Sequence, residues 1–157
     1  VAGRASSLEV RAPDEAELAA VLALARRMHQ LGTYSTLPFD ARKVAGLIAS
    51  CVRAPGHFAS IAVHRGEVSG FLGGRMGTYP FCDEPLAYDL GFFVAPEARR
   101  SSAAVRLFRA FEAWAMDRGA REVSMAVSTG VDVERIGAFY VHMGPTCIGG
   151  VYRKALR

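Results

Sequence analysis

The sequence predicts a mixed α/β domain with helices on both faces of a sheet, on three observations. Period-two apolar stretches alternate with helical-period stretches along the chain, with no repeat, low-complexity run or linker between them. A strand, a long amphipathic helix and another strand follow one another over residues 87–128, an order that implies a parallel pair joined by a crossover. The 157 residues are enough for one proper core and too few for two, so a single domain is expected over 1–157, with residues 1–6 read as a disordered or vector-derived leader.

The elements follow in order as βααβββαβαβ. "SLEVRA", residues 7–12, alternates as a short strand. "PDEAELAAVLALARRMHQLG" opens on Pro13 and acids and closes on basic residues and Gly32, which is helix punctuation at both ends. Its apolar stripe is expected through Leu18, Val21, Leu22 and Ala25. After the loop "TYSTLPFD", a second helix is expected from Asp40, as N-cap, to Val52. "HFASIAVHRGEVSGFLGGRMGTY" reads as a hairpin turning at Arg65-Gly66, with Gly73 and Gly74 marking a bulge or a close approach. "AYDLGFFV" is a buried strand. The central helix runs from about Ser101 to Arg118, with Leu107, Phe108, Phe111, Trp114 and Ala115 on its apolar face and Gly119 closing it. "REVSMAVS" alternates as a strand through Val123, Met125 and Val127, "VDVERIGAFYVHMG" is a short helix, and "CIGGVYRKAL" holds a final strand.

Composition bounds the function. The chain is 51% hydrophobic and 22% charged, as globular proteins are, and no apolar run approaches the ~20 residues needed to cross a bilayer, so no membrane partner is expected. No leader with an apolar core is seen at the start. Three widely spaced cysteines, Cys51, Cys82 and Cys147, form no CxxC or Cys/His cluster; free thiols, no metal site and a cytoplasmic location are expected. The net charge of +4 suits an anionic ligand, but the arginines are dispersed and not interleaved with aromatics, which argues against nucleic acid as a partner. His29, His57, His64 and His142 lack a third ligand beside them.

One joint carries chemistry. "FFVAPEARRSSAAVRLFRAFEAW" passes from a buried strand through Arg99-Arg100-Ser101-Ser102 into the central helix. The first four N–H groups of that helix lack helical acceptors, and Ser101, Ser102, Ala103 and Ala104 are too small to cover them. The helix dipole and two guanidinium groups add positive potential, so the joint is suited to a pyrophosphate. The plainer reading, a serine cap with solvated arginines, fits the local sequence equally well.

The stretch "VAPEARRSSAAVRL", Val94 to Leu107, resembles the acyl-CoA signature of the GNAT superfamily of N-acetyltransferases. Arg99 takes the first signature position, Ser102 stands where a Gly is expected, and Ala104 takes the last. "RIGAFYVHMG", with Tyr140 four residues before Gly144, and the "GVYRKAL" ending are also similar to that family, although Pro145 replaces its usual Phe. The resemblance implies a mostly antiparallel sheet of about six or seven strands flanked by about four helices, with a parallel pair splayed at a cofactor cleft. It implies acetyl-CoA as cosubstrate, transfer to a primary amine (of a small molecule, a peptide N-terminus or a lysine) in a ternary complex, and a homodimer as one assembly. The alternative is a non-catalytic CoA-binding or protein-interaction module of the same fold.

The resemblance also implies roles. Backbone groups of Phe92, Phe93 and Val94 would pair with the pantetheine arm and supply an oxyanion donor. Arg99, Arg100, Ser101, Ser102, Ala103 and Ala104 would hold the pyrophosphate, and Ser128 would touch the pantetheine arm. Tyr140 would protonate the leaving thiolate, since a phenol and an alkyl thiol have similar pKa values; its spacing from Ile136 and Met143 also fits plain packing. Tyr88 lies where some members carry a general base. Asp89 is adjacent but points to the other face of a regular strand, a parity that a bulge would change. Asp83 and Glu84, in the preceding loop, are further candidates, and the base stays open. The acceptor is expected against "MHQLGTYSTLPFD" and the strand over 68–79.

Overall fold

The computed structural model describes residues 8–156; the leader expected over 1–6 lies outside the described residues. The elements are β1 (Leu8–Arg11), α1 (Leu18–Leu31), α2 (Ala41–Arg53), β2 (His57–His64), β3 (Glu67–Thr78), β4 (Pro85–Val94), α3 (Ala103–Asp117), β5 (Val123–Ser124) and α4 (Val133–Met143). They form one sheet in the order β1-β2-β3-β4-β5, antiparallel throughout except for the parallel β4–β5 pair. The mixed α/β fold class stands.

The local chemistry explains the boundaries. Asp14 accepts from the Glu17 N–H while the Glu17 carboxylate accepts from the Asp14 N–H, a reciprocal box that opens a 3-10 turn leading into α1. Asp40 caps α2 by accepting from the Arg42 and Lys43 N–H groups, both at 3.0 Å. The β2–β3 turn places Arg65 at φ 54° and Gly66 at φ 83°, the positive values that a two-residue hairpin loop requires. Alternation then sends side chains to two cores. Ile61, Val63, Phe71 and Phe93 pack under α1, whereas Ala62, Leu72, Ala87 and Val94 pack under α3. In α1 the buried residues are Val21, Leu24 and Ala25; Leu24 takes the place expected for Leu22.

Two departures matter. The strand expected over 121–128 pairs only at Val123 and Ser124, opposite Ala87 and Tyr88, although Val123, Met125 and Val127 keep their alternating burial beyond the ladder. The final strand expected in "CIGGVYRKAL" is absent among the described residues: the arm after α4 has no regular structure and leaves Ile148 and Tyr152 94% and 97% exposed. The sheet therefore has five strands where six or seven were expected, because the arm pairs with neither of its edges, β1 and β5.

Candidate active site

β3 and β4 lose register at one point. Gly73 faces Gly91 and Gly74 faces Asp89, so Leu90 is left without a partner. This is the bulge that Gly73-Gly74 foreshadowed, and it decides the parity left open by the sequence. Asp89 turns into the gap where β4 and β5 part, and its Oδ1 accepts the Ala126 N–H at 2.9 Å. Tyr88 lines neither cavity described below. Its ring lies against Gly77, with the Arg75 guanidinium 5.2 Å from the ring centre.

The gap is a cleft of about 280 Å³. One wall is β4 from Asp89 to Val94, the other is Ala126 to Thr129, and α4 contributes Ile136, Phe139 and Tyr140. With β5 pairing only as far as Tyr88, the β4 edge over 89–94 has main-chain groups turned toward the cleft and not toward a neighbouring strand. Ser128 lies on the facing wall. The Phe93 side chain, by contrast, packs in the α1 core against Phe71, so only its main chain borders the cleft.

Tyr140 is buried at the cleft, among the rings of Phe92, Phe108 and Phe139 at 6.4, 6.3 and 5.7 Å. Burial first, and then the negative charge of Asp89, push its phenol well above the ordinary value, so it stays protonated. Burial likewise lifts the Asp89 carboxyl to about 6, with the Ala126 N–H and its own backbone N–H opposing the rise. The cleft therefore pairs a carboxylate poised near neutral pH with a phenol that keeps its proton. Asp83 and Glu84 are exposed in the loop before β4 and line neither cavity, and Glu84 faces Arg121 at 3.4 Å.

At the cleft mouth stands the start of α3. Its N-cap, Ser102, makes no side-chain cap, and the Arg106 N–H is the first to close onto the helix, at Ser102 O. Ser101 Oγ accepts the Ala103 N–H at 3.2 Å and donates to Ala98 O. The Ala103 N–H is thus taken up, while the small side chains leave the rest of the turn open to approach, with Ser101 and Ser102 exposed and Ala104 lining the cleft. Arg99 is anchored: Nε donates to Val94 O at 3.3 Å and Nη1 to Asp132 Oδ2 at 2.5 Å, while Arg100 is exposed. Arg27 on α1 holds Glu97 at 2.6 Å and so ties the joint to the body of the domain.

A second cavity, of about 530 Å³, lies on the other face, between α1, α2 and the sheet. Met28, Leu90, Gly91 and Thr129 line both cavities, so the two meet at the bulge. His29, Tyr34, Phe39 and Asp40 of the expected acceptor stretch line it. The sequence reading missed Leu90, Asp132, Phe139 and the α2 wall, because each enters through tertiary placement; only the Gly73-Gly74 pair signalled the junction. No group of three or more His, Cys, Asp or Glu able to hold a metal exists among the described residues, and no helix there is long and apolar enough to cross a membrane.

Comparison with known proteins agrees with this architecture. The model of the acetyltransferase (GNAT) family matches residues 18–144. The aminoglycoside N-acetyltransferase AAC(6')-Iy, solved in complex with CoA, is 23% identical with a TM-score of 0.71, over 98% of this chain and 99% of that one. AAC(6')-Ih from Acinetobacter baumannii is 19% identical with a TM-score of 0.72, over 95% and 98% of the two chains. An acetyltransferase of Trypanosoma brucei is 20% identical with a TM-score of 0.71, over 96% and 100%. No curated protein sequence matches. The family match over most of the chain, together with the parted β4–β5 pair and the open first turn of α3, establishes that this chain belongs to the GNAT family, the acetyltransferases that use acetyl-CoA.

Proposed function

We propose that this protein transfers the acetyl group of acetyl-CoA directly to a primary amine, with Asp89 as general base and Tyr140 as general acid. The observation that carries the proposal is the presence of both groups on one cleft, the first with a carboxyl pKa of about 6 and the second held protonated. Asp89 takes the proton of the incoming amine at the junction of the two cavities. That step removes the negative charge which had held the Tyr140 proton in place, so base uptake makes Tyr140 a better donor to the departing sulfur. Tyr88, away from both cavities, has no part in this reading.

The residues present fit the cosubstrate. The main chain of Phe92, Phe93 and Val94 offers hydrogen-bonding groups to an amide-bearing arm and a donor to a carbonyl oxygen gaining charge, with Ser128 opposite. The small side chains of Ser101, Ser102 and Ala104 at the start of α3, with Ala103 buried beneath them and Arg99 and Arg100 beside them, suit a pyrophosphate. Ser102 adds a hydroxyl donor where a glycine would add only space. The acceptor is by class a primary amine, and the structural neighbours named as aminoglycoside acetyltransferases make an aminoglycoside the first candidate to test.

Release of free thiol from acetyl-CoA across an amine panel tests the reading. Turnover that is lost in Asp89→Asn and Tyr140→Phe supports it, and full activity in both variants rejects the assignment. We further place the protein in the cytoplasm, on its three free thiols, and read it as a homodimer. Support for the dimer comes from two features of one chain: an apolar arm left exposed after α4, and a two-residue β5 at the sheet edge.

A further inference from the structure

The larger cavity is walled mainly by apolar side chains. Its walls are Val21, Met28, Phe39, Leu47, Ile48 and Phe71, from α1, α2, the loop between them and β3. Among its lining residues Asp40 is the sole carboxylate, and its Oδ1 already accepts two N–H groups at the start of α2. Lys43 stands one turn away on the same wall and offsets that charge. His29 is turned edge-on to Phe39 at 5.3 Å, and Arg26 lies 4.5 Å from the centre of the same ring. A polycationic aminosugar entering here would give up hydration on several ammonium groups and meet one committed carboxylate and nearby cations. An amine on an apolar body would instead bury that body against aliphatic and aromatic walls and bring its nitrogen to Leu90 and Gly91, beside Asp89.

We infer that the acceptor is a monoamine carried on an apolar alkyl or arylalkyl body, seated between α1, α2 and the sheet, and not an aminoglycoside. The inference rests on the acetyl-transfer reading for where the nitrogen goes, and on the cavity alone for what surrounds the rest of the molecule.

The experiment compares butylamine, hexylamine, octylamine and phenethylamine with sisomicin and spermidine, by thiol release and by calorimetric binding to protein saturated with CoA. Burial of each added methylene is expected to raise kcat/KM and affinity about fourfold until the cavity is filled. Leu47→Glu, at a half-exposed wall position (45% accessible), is expected to weaken hexylamine at least tenfold in KM and in binding while leaving the CoA-induced rise in Tm unchanged. Rates and affinities that ignore chain length, or sisomicin or spermidine outperforming the alkylamines, overturn the inference and leave acetyl transfer standing. A protein that CoA fails to stabilise loses the transferase reading instead, and the chain-length order in calorimetry, then run on the protein alone, still decides the cavity.

Discussion

The Asp89 carboxylate accepts the Ala126 main-chain N–H at 2.9 Å, so an acidic side chain spans β4 and the segment after β5 at the point where their ladder has ended. One oxygen of Asp89 thereby satisfies a donor that no strand pairs, while the carboxylate borders the cleft that the parting creates. Structure and chemistry share this residue. Burial raises its carboxyl from 3.8 to about 6, so the folded chain binds a proton more tightly there than the unfolded chain does.

Asp89→Asn should separate the two roles. Between pH 4 and 6 the folded state holds a proton that the unfolded state has released, so the wild type loses stability as pH rises through this window. The full displacement corresponds to about 3 kcal/mol at neutral pH. Asparagine keeps an oxygen for Ala126 and carries no charge, so it should raise Tm at pH 7.5 and give no gain at pH 4. Acetyl transfer should fall by about 100-fold or more. For the wild type, kcat/KM should drop tenfold per unit below an inflection near pH 6. A Tm difference that is the same at both pH values would contradict the buried-charge account.

Tyr140→Phe removes one hydroxyl from a ring already packed against Phe92, Phe108 and Phe139. The expected result is a fall of about 100-fold in kcat with Kd for CoA unchanged within threefold. An unaltered kcat would leave the residue a packing role alone, as its helical spacing from Ile136 and Met143 also allows.

Ser102→Asp places a carboxylate at the start of α3, where the helix itself welcomes it and a phosphate would not. The free protein should therefore melt at the same temperature or slightly higher. The rise in Tm that CoA produces in the wild type should vanish. A retained rise would move the pyrophosphate away from residues 99–104.

What the sequence made legible was local. Asp40 before an apolar periodic run, Arg65-Gly66 between alternating stretches and Gly119 after the central helix each carry their own backbone chemistry, and each stands where expected; Gly119 adopts φ 73°. The start of the central helix after Ser102 was legible for the same reason, and the helix carrying Tyr140 through its spacing to Gly144. Asp89 was not, because its direction depends on Leu90 falling out of register with a different strand. The brevity of β5 was hidden too: Val123, Met125 and Val127 alternate as a strand would, but the ladder ends at Ser124, and beyond it the Ala126 N–H goes to the Asp89 side chain instead of the β4 main chain.

Gly74 tests the bulge directly. A Cβ there would lie 2.5 Å from Phe111 Cε2 and 3.0 Å from Tyr88 O, one a fully buried ring and the other main chain. Neither can withdraw without moving α3 or β4. Gly74→Ala should cost about 2–3 kcal/mol in urea unfolding. It should also lower acetyl transfer beyond the stability loss, since the strain falls on the stretch of β4 that aims Asp89. A neutral substitution would show that the register shift tolerates a side chain.

Ile148, Tyr152 and Leu156 are 94%, 97% and 90% accessible, and a β-branched and aromatic stretch so fully wetted is matched in the same chain by an edge strand only two residues long. Two copies could satisfy both features by laying each arm along the other's β5 edge, as strand addition does elsewhere. Arg153, between Tyr152 and Leu156, donates to Thr33 O at 3.1 Å and lies 4.8 Å from the Tyr34 ring, contacts that a crossing arm would exchange for the partner's edge. Sedimentation equilibrium should therefore give a dimer for the full chain and a monomer for a chain ending at Gly144. Val151→Asp combined with Tyr152→Asp should shift the equilibrium the same way, with the far-ultraviolet spectrum unchanged. If the full chain sediments as a monomer at micromolar concentration, the arm does not serve as a partner's strand.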